Sequence, residues 1–224
     1  MPPAPLVLVP GAGGDGRYFD RVVPLLGDAV AVDLPPDAAD FNDYVAAVAE
    51  VLPDEPAVLV GQSMGAFTVA LVAERFPTRA VVLLAPMVPA PGDTAGSWWE
   101  RTGHAGAVEE AATARGLDPA AILPGPGFDP HVAFFHDLPP DVLAELLALE
   151  ERGQSAAVFD AEFPLRAWPD VPTRVLAGRD DRFFPLPFVQ RLARERLGVE
   201  AEVVPGGHLA ALSHPGEVAR ALLA

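Results

Sequence analysis

Ser63 stands in the pentapeptide GQSMG, after the apolar run AVLV and before the helical pattern AFTVALVAERF, with Gly61 and Gly65 two residues to either side. A strand-turn-helix corner of that kind forces a strained backbone on the serine. It also lifts the hydroxyl above a sheet, at a helix N-terminus whose dipole favours developing negative charge. A helix cap accounts for a serine there but not for both glycines, which remove side chains where helix crosses strand. A serine hydroxyl is a weak nucleophile unaided, so it needs an imidazole to take its proton and a carboxylate to orient that imidazole. Both types occur later, each after a strand pattern: TRVLAGRDDRFFP carries Asp180 and Asp181, and EVVPGGHLAALSHP carries His208.

A second glycine-bearing turn opens the chain. VLVPGAGGDGRYF places Gly11, Gly13 and Gly16 at GxGxxG spacing, and Asp33 ends the next strand about 20 residues on, where a carboxylate could meet a ribose. Such spacing arises readily in any tight strand-to-helix turn of a glycine- and alanine-rich chain. A nicotinamide oxidoreductase is therefore the distant alternative, and the GxSxG corner outweighs it.

The elements that must position these groups are those of an α/β protein with a mostly parallel sheet. Strands are expected at Leu6–Val9, Ala29–Asp33, Ala57–Gly61, Ala80–Leu84, Thr173–Ala177 and Glu200–Val204, which makes about six. Helices are expected near Tyr18–Leu26, Phe41–Leu52, Met64–Phe76 and Leu186–Leu197, and from Pro215, a proline suited to the first helical position. Between Ala85 and residue 171 the pattern breaks into short helices interrupted by PGPGFDPH and DLPPD, which reads as an insertion (86–170) in a core formed by 1–85 and 171–224.

Composition removes several chemistries. The 224 residues suit one domain with an insertion and leave no room for a second of comparable size. There is no cysteine, which excludes thiolate nucleophiles and cysteine metal sites, and all 15 basic residues are arginine, which excludes a Schiff-base lysine. A net charge of -16 repels nucleic acid and anionic lipid. No apolar run approaches a membrane span, and MPPAPLVLVPG lacks the basic start of a secretion signal, so a cytoplasmic location is expected.

With these motifs in view, the chain resembles the α/β-hydrolase superfamily over essentially its whole length, through VLVPGAG, GQSMG, GRDDRFFP and GGHLAALSHP. The last is also similar to the ending of plant-type esterases and hydroxynitrile lyases. The resemblance implies the hydrolase fold with residues 86–170 as a helical cap, and the chain order Ser63, Asp181, His208. The family's GxxD, with a proline four residues on, matches Gly178, Asp181 and Pro185, which prefers Asp181 to Asp180. It further implies that the glycine loop supplies an oxyanion hole from the backbone NH groups of Ala12 and Met64. Pro10 stands where the family usually has histidine, and Asp33 takes a turn-holding role.

The function implied is hydrolysis of a small, largely apolar carboxylic ester through an acyl-enzyme, with no metal or cofactor. Alternatives on the same fold are C–C bond hydrolysis, cyclisation, lyase chemistry or a small-molecule receptor. The hydroxynitrile lyase reading is weakened because Leu209 follows His208 where those enzymes carry lysine. Trp98, Trp99, Phe134, Phe135, Phe183 and Leu209 are the expected substrate contacts; Phe184, also aromatic, is a further possibility for the pocket. His104, His131 and His136 lack metal-ligand spacing and are read as loop or surface residues, with His214 ending the loop before the last helix. The acidic pairs Glu109–Glu110 and Glu150–Glu151 read as solvated helix faces. The oligomeric state is left open.

Overall fold

The structure, a computed structural model, describes residues 4–150 and 152–224; Glu151 and the first three residues lie outside the described set. Six strands, β1 (Leu6–Val9), β2 (Ala29–Ala31), β3 (Ala57–Gln62), β4 (Thr78–Leu84), β5 (Thr173–Gly178) and β6 (Ala201–Val204), form one sheet in the order β2-β1-β3-β4-β5-β6. Every neighbouring pair is parallel.

Alternation along each strand explains the layers. Val7 and Val9 of β1, Leu59 of β3, Val81 and Leu83 of β4 and Val175 of β5 join one core with the helices Phe41–Ala49 and Gly65–Arg75. Their neighbours Leu6, Leu8, Val60, Val82, Leu84 and Leu176 face the other way, against Phe19, Leu26 and the helix Pro215–Leu223. Burial on both faces is why the central strands read as near-continuous apolar runs.

The chain runs from β1 to β2 on one side and then returns past β1 to build β3 through β6 on the other. The reversal lies between β1 and β3. In an open parallel sheet, the crevice beyond the carboxyl ends at such a point is where ligands bind, and the loops opening there begin at Pro10 and at Ser63.

The expected helix over Tyr18–Leu26 is instead a 3-10 turn at Gly16–Phe19 and a short helix at Val23–Leu26. Pro24 has no NH for a continuous ladder, and the 3-10 turn has its own start, capped by Asp15, whose carboxylate accepts from the Arg17 amide at 2.9 Å. The helix at Leu186–Leu192 widens into a π turn over Ala193–Leu197.

Residues 86–170 carry helices at Trp98–Thr102, His104–Ala114, Pro130–Ala133, Pro140–Leu147 and Ala156–Asp160, and no strand among the described residues. Pro130 follows its cap Asp129, whose carboxylate accepts from the His131 amide at 2.9 Å. No helix among the described residues is long and apolar enough to cross a membrane.

Candidate active site

Ser63 has φ 49°, in the left-handed region that side-chain-bearing residues rarely adopt. The corner is held from both sides: the Ser63 amide donates to Leu84 O at 3.0 Å and the Met87 amide donates to Ser63 O at 3.0 Å. Ala85, between them, shares the strain with φ 43°. The flanking glycines are required by contact. A Cβ on Gly65 would lie 2.6 Å from Val9 O and from Pro10 O, and one on Gly61 would lie 2.7 Å from the Val69 side chain.

The three polar side chains expected to act together meet in a row. Ser63 Oγ is 3.2 Å from His208 Nε2, and His208 Nδ1 is 3.0 Å from Asp181 Oδ2. All are buried: Ser63 is 8% exposed, His208 4% and Asp181 0%. The second Asp181 oxygen accepts from the amides of Phe183 at 2.9 Å and Phe184 at 2.8 Å. Those bonds set the carboxyl plane, so its free oxygen points at the imidazole. Asp180 is exposed and makes no such contact. The rings of Phe134, Phe183 and Phe184 surround His208 at centroid distances of 5.3, 5.4 and 4.8 Å.

Ala12 and Met64 lie on the two loops that open at the sheet reversal. Neither amide donates to another group among the described residues. At Pro10 it is the carbonyl that packs against Gly65. Asp33 accepts from the Gly16 amide at 2.9 Å and so ties down the turn.

A cavity of about 470 Å³ opens over Ser63 and His208, with Ala12 on its rim. Its walls include Met87, Trp99, Phe134, Phe135, Phe159, Phe183 and Leu209, and Asp15 and Glu150 supply its charged groups. Five of the six expected substrate contacts therefore face it, and the exception is Trp98. Trp98 is fully buried, donates from Nε1 to Val88 O at 2.8 Å and belongs to the core. A second apolar cavity of about 510 Å³ shares Asp15, Leu146, Leu149 and Leu209 with the first. The Arg21–Glu145 ion pair (2.5 Å) lies along its edge.

Three residues gain a place here that the sequence did not suggest. His104 is not on the surface: it is 2% exposed, and its ring lies within 6.2 Å of Trp98, Trp99, Phe183, Phe184 and Phe188. Its Nε2 donates to Phe183 O at 2.7 Å, and burial pushes its pKa down, so the ring stays neutral. Asp137 accepts from the amide of Gly207, next to His208, at 2.7 Å. Gln62, 5% exposed, touches both the glycine loop and His208. Its signal was a lone polar residue ending a wholly apolar strand.

Comparison with known proteins comes from sequence and from fold. No curated protein matches the sequence. Among solved structures, polyneuridine aldehyde esterase superposes with a TM-score of 0.78 at 19% identity, covering 99% of this chain and 98% of that one. A pyrethroid hydrolase from Sphingobium faniae JZ-2 gives 0.72 at 21% identity, covering 98% and 95%. A tomato methylketone synthase I variant complexed with β-ketoheptanoate gives 0.70 at 16%, covering 100% and 96%. At these identities the likeness is one of fold. The sequence model of the alpha/beta hydrolase family matches residues 6–221, and with a parallel six-stranded sheet and a strained serine at the end of β3, this chain belongs to that family.

Proposed function

We propose that this chain is a serine esterase acting on small, uncharged, largely apolar carboxylic esters, with Ser63 as nucleophile, His208 as base and Asp181 as its orienting acid. The observation that carries the reading is the buried row from Ser63 Oγ through the His208 ring to Asp181, at 3.2 and 3.0 Å, on the floor of an apolar cavity. Ser63 Oγ attacks the carbonyl carbon as its proton passes to His208 Nε2, and the amides of Ala12 and Met64 receive the oxyanion. Collapse breaks the bond to the alkoxy oxygen, which takes the proton from Nε2 and leaves as an alcohol. Water then attacks the acyl-enzyme by the same route, and the acid is released. The cycle uses only groups of the chain and water.

In this reading residues 86–170 are a cap, because Phe134, Phe135, Leu146 and Phe159 wall the cavity above the serine. The apolar walls favour a neutral ester over a carboxylate-bearing one, with Asp15 neutralised by its ion pair to Arg17 at 2.6 Å. Of the structural relatives, polyneuridine aldehyde esterase and the pyrethroid hydrolase are esterases or hydrolases by name, which supports ester cleavage. A cytoplasmic site of action is part of the same proposal. The test is Ser63→Ala on a short p-nitrophenyl ester. Turnover falls by about a thousandfold or more, and near-full activity in the variant overturns the assignment.

A further inference from the structure

Two atoms fix the orientation of the Gln62 carboxamide. The Gly11 amide can only donate, so the atom 3.0 Å from it is the Gln62 oxygen. The Gln62 NH2 group must then face the other neighbour, His208 Nε2, at a long 3.4 Å. An NH2 group can only donate in turn, so Nε2 carries a lone pair there and the ring proton sits on Nδ1, toward Asp181. That single lone pair faces two donors, the Ser63 hydroxyl at 3.2 Å and Gln62 at 3.4 Å.

We propose that Gln62 is a positioning residue that couples the glycine loop to the base, holding Gly11 with its oxygen while its NH2, which can only donate, holds His208 in the tautomer whose Nε2 accepts the serine proton. This rests on the acyl-transfer reading above. A proton arriving on Nε2 meets the Gln62 NH2 group donor to donor, and the resulting repulsion hastens its onward transfer to the leaving alkoxide. One side chain thus orders the loop and fixes the tautomer of the base. The fit is close: a Cβ on Gly11 would lie 2.5 Å from the Gln62 oxygen and 2.8 Å from Ser63 Cβ.

Other titratable groups reach His208 from elsewhere. Asp181 faces Nδ1; the Tyr18 hydroxyl donates to the His208 carbonyl at 3.5 Å; His104 lies beyond Phe183 and Phe184; Asp137 and His136 sit against Gly207. Among the hydrogen-bonding partners of the described residues, Ser63 and Gln62 alone meet Nε2. A substitution at Gln62 therefore reaches Nε2 directly, and the Gly11 bond is the one other contact it disturbs in the site.

The experiment measures the rate of Ser63 labelling by a fluorophosphonate as a function of pH in the wild type, Gln62→Glu and Gln62→Met, with NMR titration of the His208 ring alongside. In Gln62→Glu one oxygen keeps the Gly11 bond while the other presents an acceptor to Nε2. The midpoint of the labelling profile moves up by about one pH unit or more, and the rate at pH 6 falls about tenfold or more. Gln62→Met loses both bonds, so its midpoint rises by less and its high-pH plateau also drops. A Gln62→Glu profile that superimposes on the wild type, or identical losses without a midpoint shift in both variants, overturns the proposal. If the glutamate variant does not fold, an unmoved midpoint in Gln62→Met and an unmoved ring titration overturn it. Ser63→Ala separates the two levels: labelling that survives in it sinks the serine reading and this inference together, whereas labelling abolished there with unshifted Gln62 profiles sinks the inference alone.

Discussion

Replacing Asp181 by asparagine changes one atom type and tests the whole proton row. In the wild type one Asp181 oxygen receives the Phe183 and Phe184 amides at 2.9 and 2.8 Å, and the other faces His208 Nδ1 at 3.0 Å. The asparagine oxygen must stay with the two amides, because an NH2 group there would meet two donors. Its NH2 group therefore turns to Nδ1, which must give up its proton and become an acceptor. The ring proton moves to Nε2, where Ser63 needs a lone pair. A base in the wrong tautomer loses about ten thousandfold in kcat/KM, which at 1.36 kcal/mol per factor of ten is about 5 kcal/mol of transition-state stabilisation. Stability changes little, since the buried bonds to Phe183 and Phe184 survive. Asp181→Ala leaves those amides unpaired in a site with no solvent access and costs about 1–3 kcal/mol for each, so it lowers Tm as well as activity. Asp180→Asn, on an exposed side chain, leaves both within about twofold. The assay is kcat/KM on a p-nitrophenyl ester with a melting curve for each variant. An Asp181→Asn enzyme within tenfold of wild type, or an Asp180 variant as impaired as the Asp181 one, refutes the reasoning.

Gly65→Ala places a methyl group 2.6 Å from two backbone carbonyls, Val9 O and Pro10 O, and so pushes the proposed oxyanion loop from the serine corner. Overpacking of this kind costs about 1–3 kcal/mol, or roughly 3–10 °C in Tm. Activity falls further than stability because Ala12 is displaced, whereas Gly106→Ala, in the open part of the helix His104–Ala114, leaves both intact. Equal melting temperatures for the two alanine variants would contradict the contact argument. Acid stability follows from His104. Burial holds its pKa below the ordinary 6.5, so above that pH folded and unfolded chains are both neutral at this residue. As pH falls below 6.5 the unfolded chain takes a proton that the buried ring refuses, and stability is lost progressively down to the folded pKa. His104→Gln keeps a donor for Phe183 O, and melting temperatures measured from pH 7.5 to pH 5 decline less steeply in it than in the wild type. Some slope persists because His136 is shifted the same way, and parallel curves would show that His104 contributes nothing to it.

What the sequence reveals of the site divides by the distance over which each residue finds its partners. The Ser63 corner was legible because the residue types it needs lie within five positions of one another: Gly61 makes room for Val69 and Gly65 of the helix that follows, while Gly65 makes room for the carbonyls of Val9 and Pro10 on the neighbouring strand and loop. Asp181 was preferred to Asp180 through a pattern whose cause is also local, amides two and three residues on that lock its carboxyl. The strands were legible because alternation fills two opposite cores. Trp98 and Trp99 show where this fails. They are neighbours on a five-residue helix, and one step of about 100° sends the first into the core and the second to the cavity. One turn and a half is too short for periodicity to say which. His104, Asp137 and Gln62 were missed for a different reason. Each bonds across a long separation, to Phe183 79 residues away, to Gly207 70 away and to His208 146 away. A polar side chain is buried only where such a partner waits, and apart from the place of Gln62 at the end of an apolar strand nothing in the segment announces one. Those long-range bonds bear on the groups around the serine: His104 holds the carbonyl beside the amides that lock Asp181, Asp137 holds the amide before His208, and Gln62 reaches the base itself. The groups proposed to react are thus written in local motifs, while the alignment that would let them exchange a proton depends on contacts that only the folded chain creates.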